Sequence, residues 1–292
     1  MKITGYFSLL VAVIALAGRT GLVQAGPVAE GSGEGPGDIA PIAQKPDLPD
    51  RFKISLGGYF LSDFSTTVAL ADSDLGIGAG IDPARTLGLD FRSSVVRIDG
   101  QYRFTPEHSL TYSWYRIASR ASKTLNEQIE WGDVIIPIGA TVASDFGYDI
   151  YKLGYLWSFH HSDKVELAIG AGLHVTRFKL DLNATVVNPP GSSIQDVSIT
   201  APLPVISMAL RYRITPKLHF GYLGQVFAMS FDQWQGSYTD SALVLEYRFW
   251  EHVGLGIGLN GNALEVERHR ENEVFFFSQN ITGGHLYVTA YF

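Results

Sequence analysis

From position 51 to its last residue the chain alternates apolar and polar side chains with a period of two. In Val95 to Phe104 one face carries Val96, Ile98, Gly100, Tyr102 and Phe104, and the other carries Val95, Arg97, Asp99, Gln101 and Arg103. Val165 to Val175 sets Leu167, Ile169, Ala171 and Leu173 against Glu166, Ala168, Gly170, Gly172 and His174. Leu243, Leu245, Tyr247 and Phe249 alternate in the same way with Val244, Glu246 and Arg248. Such alternation predicts strands with one apolar face and one polar or small face. Ten strands are expected, near 51–64, 86–104, 108–126, 142–159, 164–184, 197–213, 217–231, 237–249, 252–269 and 274–292. Eight or twelve are the alternatives, because 66–71 and 75–81 can also pair.

Alternation alone does not separate a soluble sandwich from a membrane barrel. The expected strands, about 14–20 residues, far exceed the usual 5–6 of globular sheets. Aromatic residues crowd one end of many strands: Tyr102 and Phe104; Tyr155, Trp157 and Phe159; Tyr247 and Phe249; and Tyr291 near the C-terminus. An amphipathic ring gains from both sides of a bilayer surface, so these eight are read as an aromatic girdle. Short connections also echo one another: Tyr102-Arg103-Phe104-Thr105-Pro106 resembles Tyr212-Arg213-Ile214-Thr215-Pro216, and Phe159 to Lys164 and Tyr247 to His252 fill the same role. Four short turns alternating with longer loops, and both chain ends on one side, divide 51–292 into five hairpins. In lipid every backbone amide needs a partner, so a spanning strand protein has to close. The expected fold is therefore all-β, an antiparallel up-and-down transmembrane β-barrel in which 285–292 pairs with a first strand near Phe52 to Leu56.

Composition changes this picture at the N-terminus. Lys2, the apolar run Phe7 to Ala17 and the site Val23-Gln24-Ala25 form a secretory signal pattern, assigned to residues 1–25. Residues 26–50, with Gly31, Gly33, Gly35, Pro36, Pro41, Pro46 and Pro49, read as a flexible periplasmic leader. No later stretch approaches the roughly 18 apolar residues of a membrane-spanning helix. The absence of cysteine excludes disulfides, thiolate metal sites and a lipoprotein anchor. A net charge of −7 argues against a nucleic-acid partner, which needs a concentrated basic face.

With the aromatic C-terminal Phe292 in view, the chain resembles uncharacterised proteobacterial outer-membrane β-barrel proteins, broadly like the small OmpA-type and OmpW-type barrels. The resemblance covers about residues 51–292. It rests on Leu87-Gly88-Leu89-Asp90, Tyr102 to His108, Tyr151-Lys152-Leu153-Gly154-Tyr155 and Phe292. It implies residence in the bacterial outer membrane among phospholipid and lipopolysaccharide, and recognition of Phe292 as an assembly signal by the barrel-assembly machinery. These motifs mark architecture and carry no catalytic or binding residues.

If the apolar faces meet lipid, the other faces fill the lumen. The expected lumen-lining residues are Lys53, Arg97, Asp99, Arg103, Lys152, Glu166, His174, Arg211, Arg213, Glu246 and Arg248, with His219, Gln225, Asn260 and His285 beside them. Basic residues are in the majority. Two readings stay open: a packed polar plug with paired charges, or a slender channel with mild anion preference. Candidate chemistry is sparse, and no cofactor or metal site is expected. Asp72-Ser73-Asp74 has no Asp-x-His motif to work with, and His160 with Ser162 falls in an expected turn. Asp72, Asp74 and Asp82 among Gly76, Gly78 and Gly80 match no calcium spacing. The apolar Ile135-Ile136-Pro137-Ile138 can fold over the mouth, contact lipid or gate a hydrophobic ligand. The function expected is a narrow pore or carrier for small solutes or hydrophobic compounds. The alternative is a surface-interaction barrel acting through long extracellular loops, and a barrel-embedded hydrolase is the third class.

Overall fold

The computed structural model describes residues 50–72, 77–91, 94–131, 134–187, 190–270 and 273–292. The signal-peptide and leader assignments, and Ser73, Asp74 and Gly76 of the acidic loop, lie outside the described residues. In chain order the elements are β1 (Phe52–Asp72), β2 (Ile77–Ile81), α1 (Pro83–Leu87), β3 (Ser94–Arg103), β4 (His108–Thr124), β5 (Ile129–Trp131), β6 (Val134–Ile136), β7 (Thr141–His161), β8 (Val165–Val187), β9 (Pro190–Arg213), β10 (Leu218–Phe231), β11 (Trp234–Trp250), β12 (Val253–Arg270) and β13 (Glu273–Tyr291). Ten of them form one antiparallel ring, β1-β3-β4-β7-β8-β9-β10-β11-β12-β13, and β13 pairs back onto β1. The protein is an up-and-down β-barrel. Its seam runs from Lys53 opposite Tyr291 to Asp72 opposite Glu273. At its foot Phe52 N donates to Phe292 O (2.9 Å) and Phe292 N to Phe52 O (2.8 Å).

Three expectations change. First, the strand placed at 86–104 begins only at Ser94, and Leu87-Gly88-Leu89-Asp90 is not extended. Local signals override the period-two pattern there. Asp82 caps α1 through its carboxylate, which accepts from the amides of Ala84 (3.0 Å) and Arg85 (3.2 Å), and Pro83 sits in the first turn. Gly88 stops the turn at φ 72°, a backbone conformation that favours glycine. Second, the far-end connections are not uniformly long. β10 and β11 are joined by Asp232 and Gln233 alone, β8 ends at Val187 with β9 starting at Pro190, and β12 ends at Arg270 with β13 starting at Glu273. The two segments at 66–71 and 75–81 do pair, over 68–72 and 77–81, with Val68 opposite Ile81. Third, Tyr291 does not belong to the outer aromatic set. Leu286 and Val288 face outward, so alternation turns Tyr287 and Tyr291 inward, where Tyr291 is only 5% exposed. Tyr102, Phe104, Tyr155, Trp157, Phe159, Tyr247 and Phe249 do lie exposed on the outer face at the short-turn end, as does Phe292.

The two faces exchange character partway along the strands. On β8 the outward positions from Val165 to Val175 are apolar, and those that follow are Arg177, Lys179, Asp181, Asn183 and Thr185. β7 passes from Phe159, Trp157, Tyr155, Leu153 and Tyr151 to Asp149 and Asp145, and β4 from Leu110, Tyr112 and Trp114 to Arg116 and Arg120. On β1 a bulge between Leu61 and Asp63 resets the alternation, so that Asp63, Ser65 and Thr67 face out while Phe64 and Thr66 face in. The interior inverts in step: it is charged in the turn half and apolar in the loop half, where Phe146, Phe178, Leu180, Leu182, Phe277 and Ile281 are buried. A membrane strand needs only about 9–11 residues. The apolar outer band therefore accounts for the turn half, and the loop half has the inside-apolar, outside-polar layout of a domain in water.

That division is testable along a single strand. Ile169→Arg, in the middle of the band on β8, is expected to cost about 2–4 kcal/mol. Asn183→Arg, outward on the same strand beyond the band, is expected to stay within about 0.5 kcal/mol of the parent. Urea unfolding from lipid vesicles measures both.

Candidate functional site

The charged lumen of the turn half is the chemical centre of the barrel. Inward positions on β1, β3, β7, β8, β9 and β11 deliver its cations and carboxylates at similar heights because antiparallel register aligns them. Lys53 on β1 reaches Glu246 on β11 at 2.6 Å. Glu246 also accepts from Tyr287 Oη (3.1 Å) and Tyr291 Oη (2.5 Å), which explains why Tyr291 turns inward. Arg103 on β3 crosses to Glu166 on β8 (2.8 Å), which Arg211 on β9 approaches at 3.3 Å and to which Ser158 donates at 2.5 Å. Arg211 also donates to Gln101 Oε1 at 2.7 Å, and Gln101 in turn donates to Ser109.

Deeper in, Arg97 pairs with Asp99 on its own strand (2.8 Å) and donates to Asn260 Oδ1 on β12 (3.2 Å). The guanidinium of Arg97 lies beside the touching rings of Tyr59 and Tyr115, at 5.5 and 5.3 Å from their centroids. Lys152 on β7 forms an ion pair with Asp240 on β11, which also accepts from Tyr238 Oη (2.9 Å) and Asn260 Nδ2 (3.2 Å). Several of these contacts join strands three or four places apart round the ring. They act as cross-braces, and each carboxylate in them faces a cation, the arrangement that makes buried charge tolerable.

Between the braces lies a cavity of about 230 Å³ bordered by Lys53, Asp99, Lys152, His174, Asp240 and Glu246, among others. It opens toward the short-turn end, where the Arg211 side chain is 38% exposed, and closes at the far end, where His174 is fully buried. Above it the interior is apolar and filled. Phe64, Phe91 and Phe146 pack together with centroids 4.1 to 5.6 Å apart, Phe146 edge-on to the other two. Phe146 on β7 meets Phe178 on β8 at 5.3 Å, and Phe178 meets Phe277 on β13, across the ring, at 6.0 Å. The end of α1 and the segment after it contribute Leu87, Leu89 and Phe91 to this core, held by Ser119 Oγ donating to Asp90 O (2.8 Å). Ile136 joins the core from the second loop and Ile138 stays exposed.

Of the residues expected to line the lumen, Lys53, Arg97, Asp99, Arg103, Lys152, Glu166, His174, Arg211 and Glu246 lie within this network or border the cavity. Arg248 lies at its foot, paired with Asp50 (2.7 Å) and over the ring of Tyr291 at 4.2 Å. Arg213 does not join it. The strand ends there, leaving Arg213 exposed at the mouth. The expected basic majority narrows, because Asp240 and Asp50 join the lumen and Arg213 does not. Asp240 shares the parity of Glu246 on one strand, and that parity is the signal that could have found it. The inward tyrosines at 59, 115 and 238 carry no such signal, since an aromatic residue on a membrane strand suits the outer face equally well. His160 is exposed in the turn region, and Ser162 is used structurally, accepting from Val165 N (3.1 Å) and donating to Val165 O (3.2 Å). Asp82 serves as the cap of α1.

Closed ring, ten antiparallel strands and an aromatic, lipid-like outer band are the geometry against which known structures can be compared. The outer membrane protease OmpT from Escherichia coli superposes with a TM-score of 0.55 over 84% of this chain and 97% of that one, at 9% identity. The fold is that of an outer-membrane β-barrel. The Pseudomonas putida toluene transporter TodX (TM-score 0.35, 10% identity, 84% of this chain and 90% of that one) and the attachment invasion locus protein Ail of Yersinia pestis (0.26, 10%, 82% and 99%) are also similar, at scores too low to carry an argument. Residues 147–265 match the family model described as "Protein of unknown function, DUF481". No curated protein matches the sequence.

Proposed function

We propose that this chain is an integral protein of the bacterial outer membrane whose barrel is sealed against through-flow and which acts at the cell surface through its loop half. The observation that carries this reading is the aromatic layer of Phe64, Phe91, Phe146, Phe178 and Phe277, which spans the lumen from wall to wall. A pore needs a continuous polar path, and this layer interrupts it. The apolar outer band fits the hydrocarbon core, and the exposed aromatics at the short-turn end fit the periplasmic interface. Export through a signal peptide at residues 1–25 and assembly guided by Phe292 complete the proposal, which assigns no catalytic step. The loop half then presents a preformed, well-packed surface for partners rather than a set of long free loops.

Reconstitution into planar bilayers tests it. The protein is expected to give no steady single-channel current, and a stable ohmic conductance would refute the sealed barrel. A second reading, a carrier that loads a small polar solute from the periplasmic side, is favoured by the cavity of about 230 Å³. It predicts saturable solute binding that is lost on filling the cavity with Ser55→Phe.

A further inference from the structure

The outward wall of β4, β7 and β8 carries a basic patch directly above the apolar band. Register stacks its residues in rows. The last apolar row is Trp114, Tyr151 and Val175, and the next is Arg116, Asp149 and Arg177. Above these come Ala118, Gly147 and Lys179, then Arg120, Asp145 and Asp181. Among the described side chains, Arg116, Arg120, Arg177 and Lys179 are the arginines and lysines that face outward from the strands beyond the band, and all four stand on adjacent strands. At the same height the other strands present residues such as Ser62, Thr200, Thr239, Ser241 and Thr282.

The arrangement leaves the positive groups on top. Arg116 pairs with Asp149 at 3.9 Å, Arg120 with Asp145 at 2.6 Å and Lys179 with Asp181 at 2.6 Å. Side-chain exposure is 56%, 83% and 53% for the three cations against 19%, 45% and 28% for their carboxylates. Arg177 is exposed and has no ion pair among the described residues. Ala118 lies exposed between the cations and Gly147 beside it is covered by Arg116, whose Nη2 alone would meet a Cβ built on Gly147, at 3.4 Å.

We propose that this patch is a docking surface for the phosphorylated headgroup of an outer-leaflet glycolipid. The acyl chains would lie along the Trp114, Tyr151 and Val175 row below it, while Arg116, Arg177 and Lys179 close on phosphate over Ala118 and Gly147. Guanidinium groups bind phosphate bidentately, and cations at an anionic membrane surface act within a Debye length of it. The patch meets both conditions, because the polarity switch places it where headgroups begin. The inference rests on the outer-membrane reading and on the loop half facing outward.

Native mass spectrometry of the detergent-solubilised full chain with diphosphorylated lipid A, and with the same lipid after dephosphorylation, tests it. The parent is expected to retain the diphosphorylated form preferentially. Arg116→Ala/Arg177→Ala/Lys179→Ala is expected to weaken retention by about tenfold or more, and Arg85→Ala, on α1 outside the patch, to leave it unchanged. Gly147→Leu adds bulk beneath Arg116 while keeping every charge, and is expected to weaken binding as well. Heat-modifiable gel mobility verifies that each variant is folded. Equal retention by the parent and the folded triple variant, or equal retention of both lipids by the parent, would overturn the proposal. A chain soluble without detergent would instead overturn the outer-membrane reading beneath it, so the two failures are told apart.

Discussion

Lys152→Met is expected to lower folding stability by about 3–5 kcal/mol, because it strands Asp240 as an uncompensated carboxylate inside the barrel. The Lys152 and Asp240 side chains are 9% and 2% exposed, so little water reaches the carboxylate to take over from the lost partner. The remaining hydrogen bonds of Asp240, from Tyr238 and Asn260, come from neutral donors, and Arg97, the other cation that attracts it, is already paired with Asp99. Lys152→Met/Asp240→Leu removes both charges and is expected to recover most of the loss, since an apolar pair of similar volume replaces a buried ion pair at little cost. Urea titration of the barrel folded into lipid vesicles, followed by tryptophan fluorescence, gives both values. A single variant within about 1 kcal/mol of the parent would mean that the lumen is wet enough to solvate a free carboxylate.

The second large effect belongs to the loop half. Phe146→Ala is expected to cost about 3–5 kcal/mol, the usual range for deleting a buried aromatic side chain. Phe146 is fully buried and touches Phe64, Phe91 and Phe178, so its removal leaves a void that three rings on different segments border. Phe104→Ala, on the outer face at the turn end, removes a ring that is 43% exposed and should cost clearly less. If the two substitutions were equally mild, the loop half would lack the solid core described for it, and the sealed-barrel reading would weaken with it.

The sequence carried much of the architecture. Alternation identified the strands, and the turn echoes set their pairing order. The C-terminal strand was legible as the seam because a closed ring has to join its last strand to its first. Leu87-Gly88-Leu89-Asp90 misled because apolar residues at two-residue spacing also suit a capped turn, and Asp82, Pro83 and Gly88 decide between the two locally. Tyr291 misled because an aromatic near a chain end suits a membrane interface as well as a carboxylate inside a barrel. Only its parity, opposite to that of Leu286 and Val288, separates these, and Glu246 supplies the partner that rewards the inward choice.

What the sequence by itself determined is the all-β barrel, its strand order and the inward or outward sense of most side chains, since a period of two is a local property of the backbone. What only the tertiary structure decided is how far the membrane part extends and what fills the lumen. Both depend on contacts between residues far apart in the chain. Lys152 finds Asp240 and Phe178 finds Phe277 across the ring, and a bulge near Ser62 changes the phase of β1. A strand with apolar residues on one face reads the same whether that face meets lipid or a core. The closed barrel assigns one meaning in its turn half and the opposite meaning in its loop half.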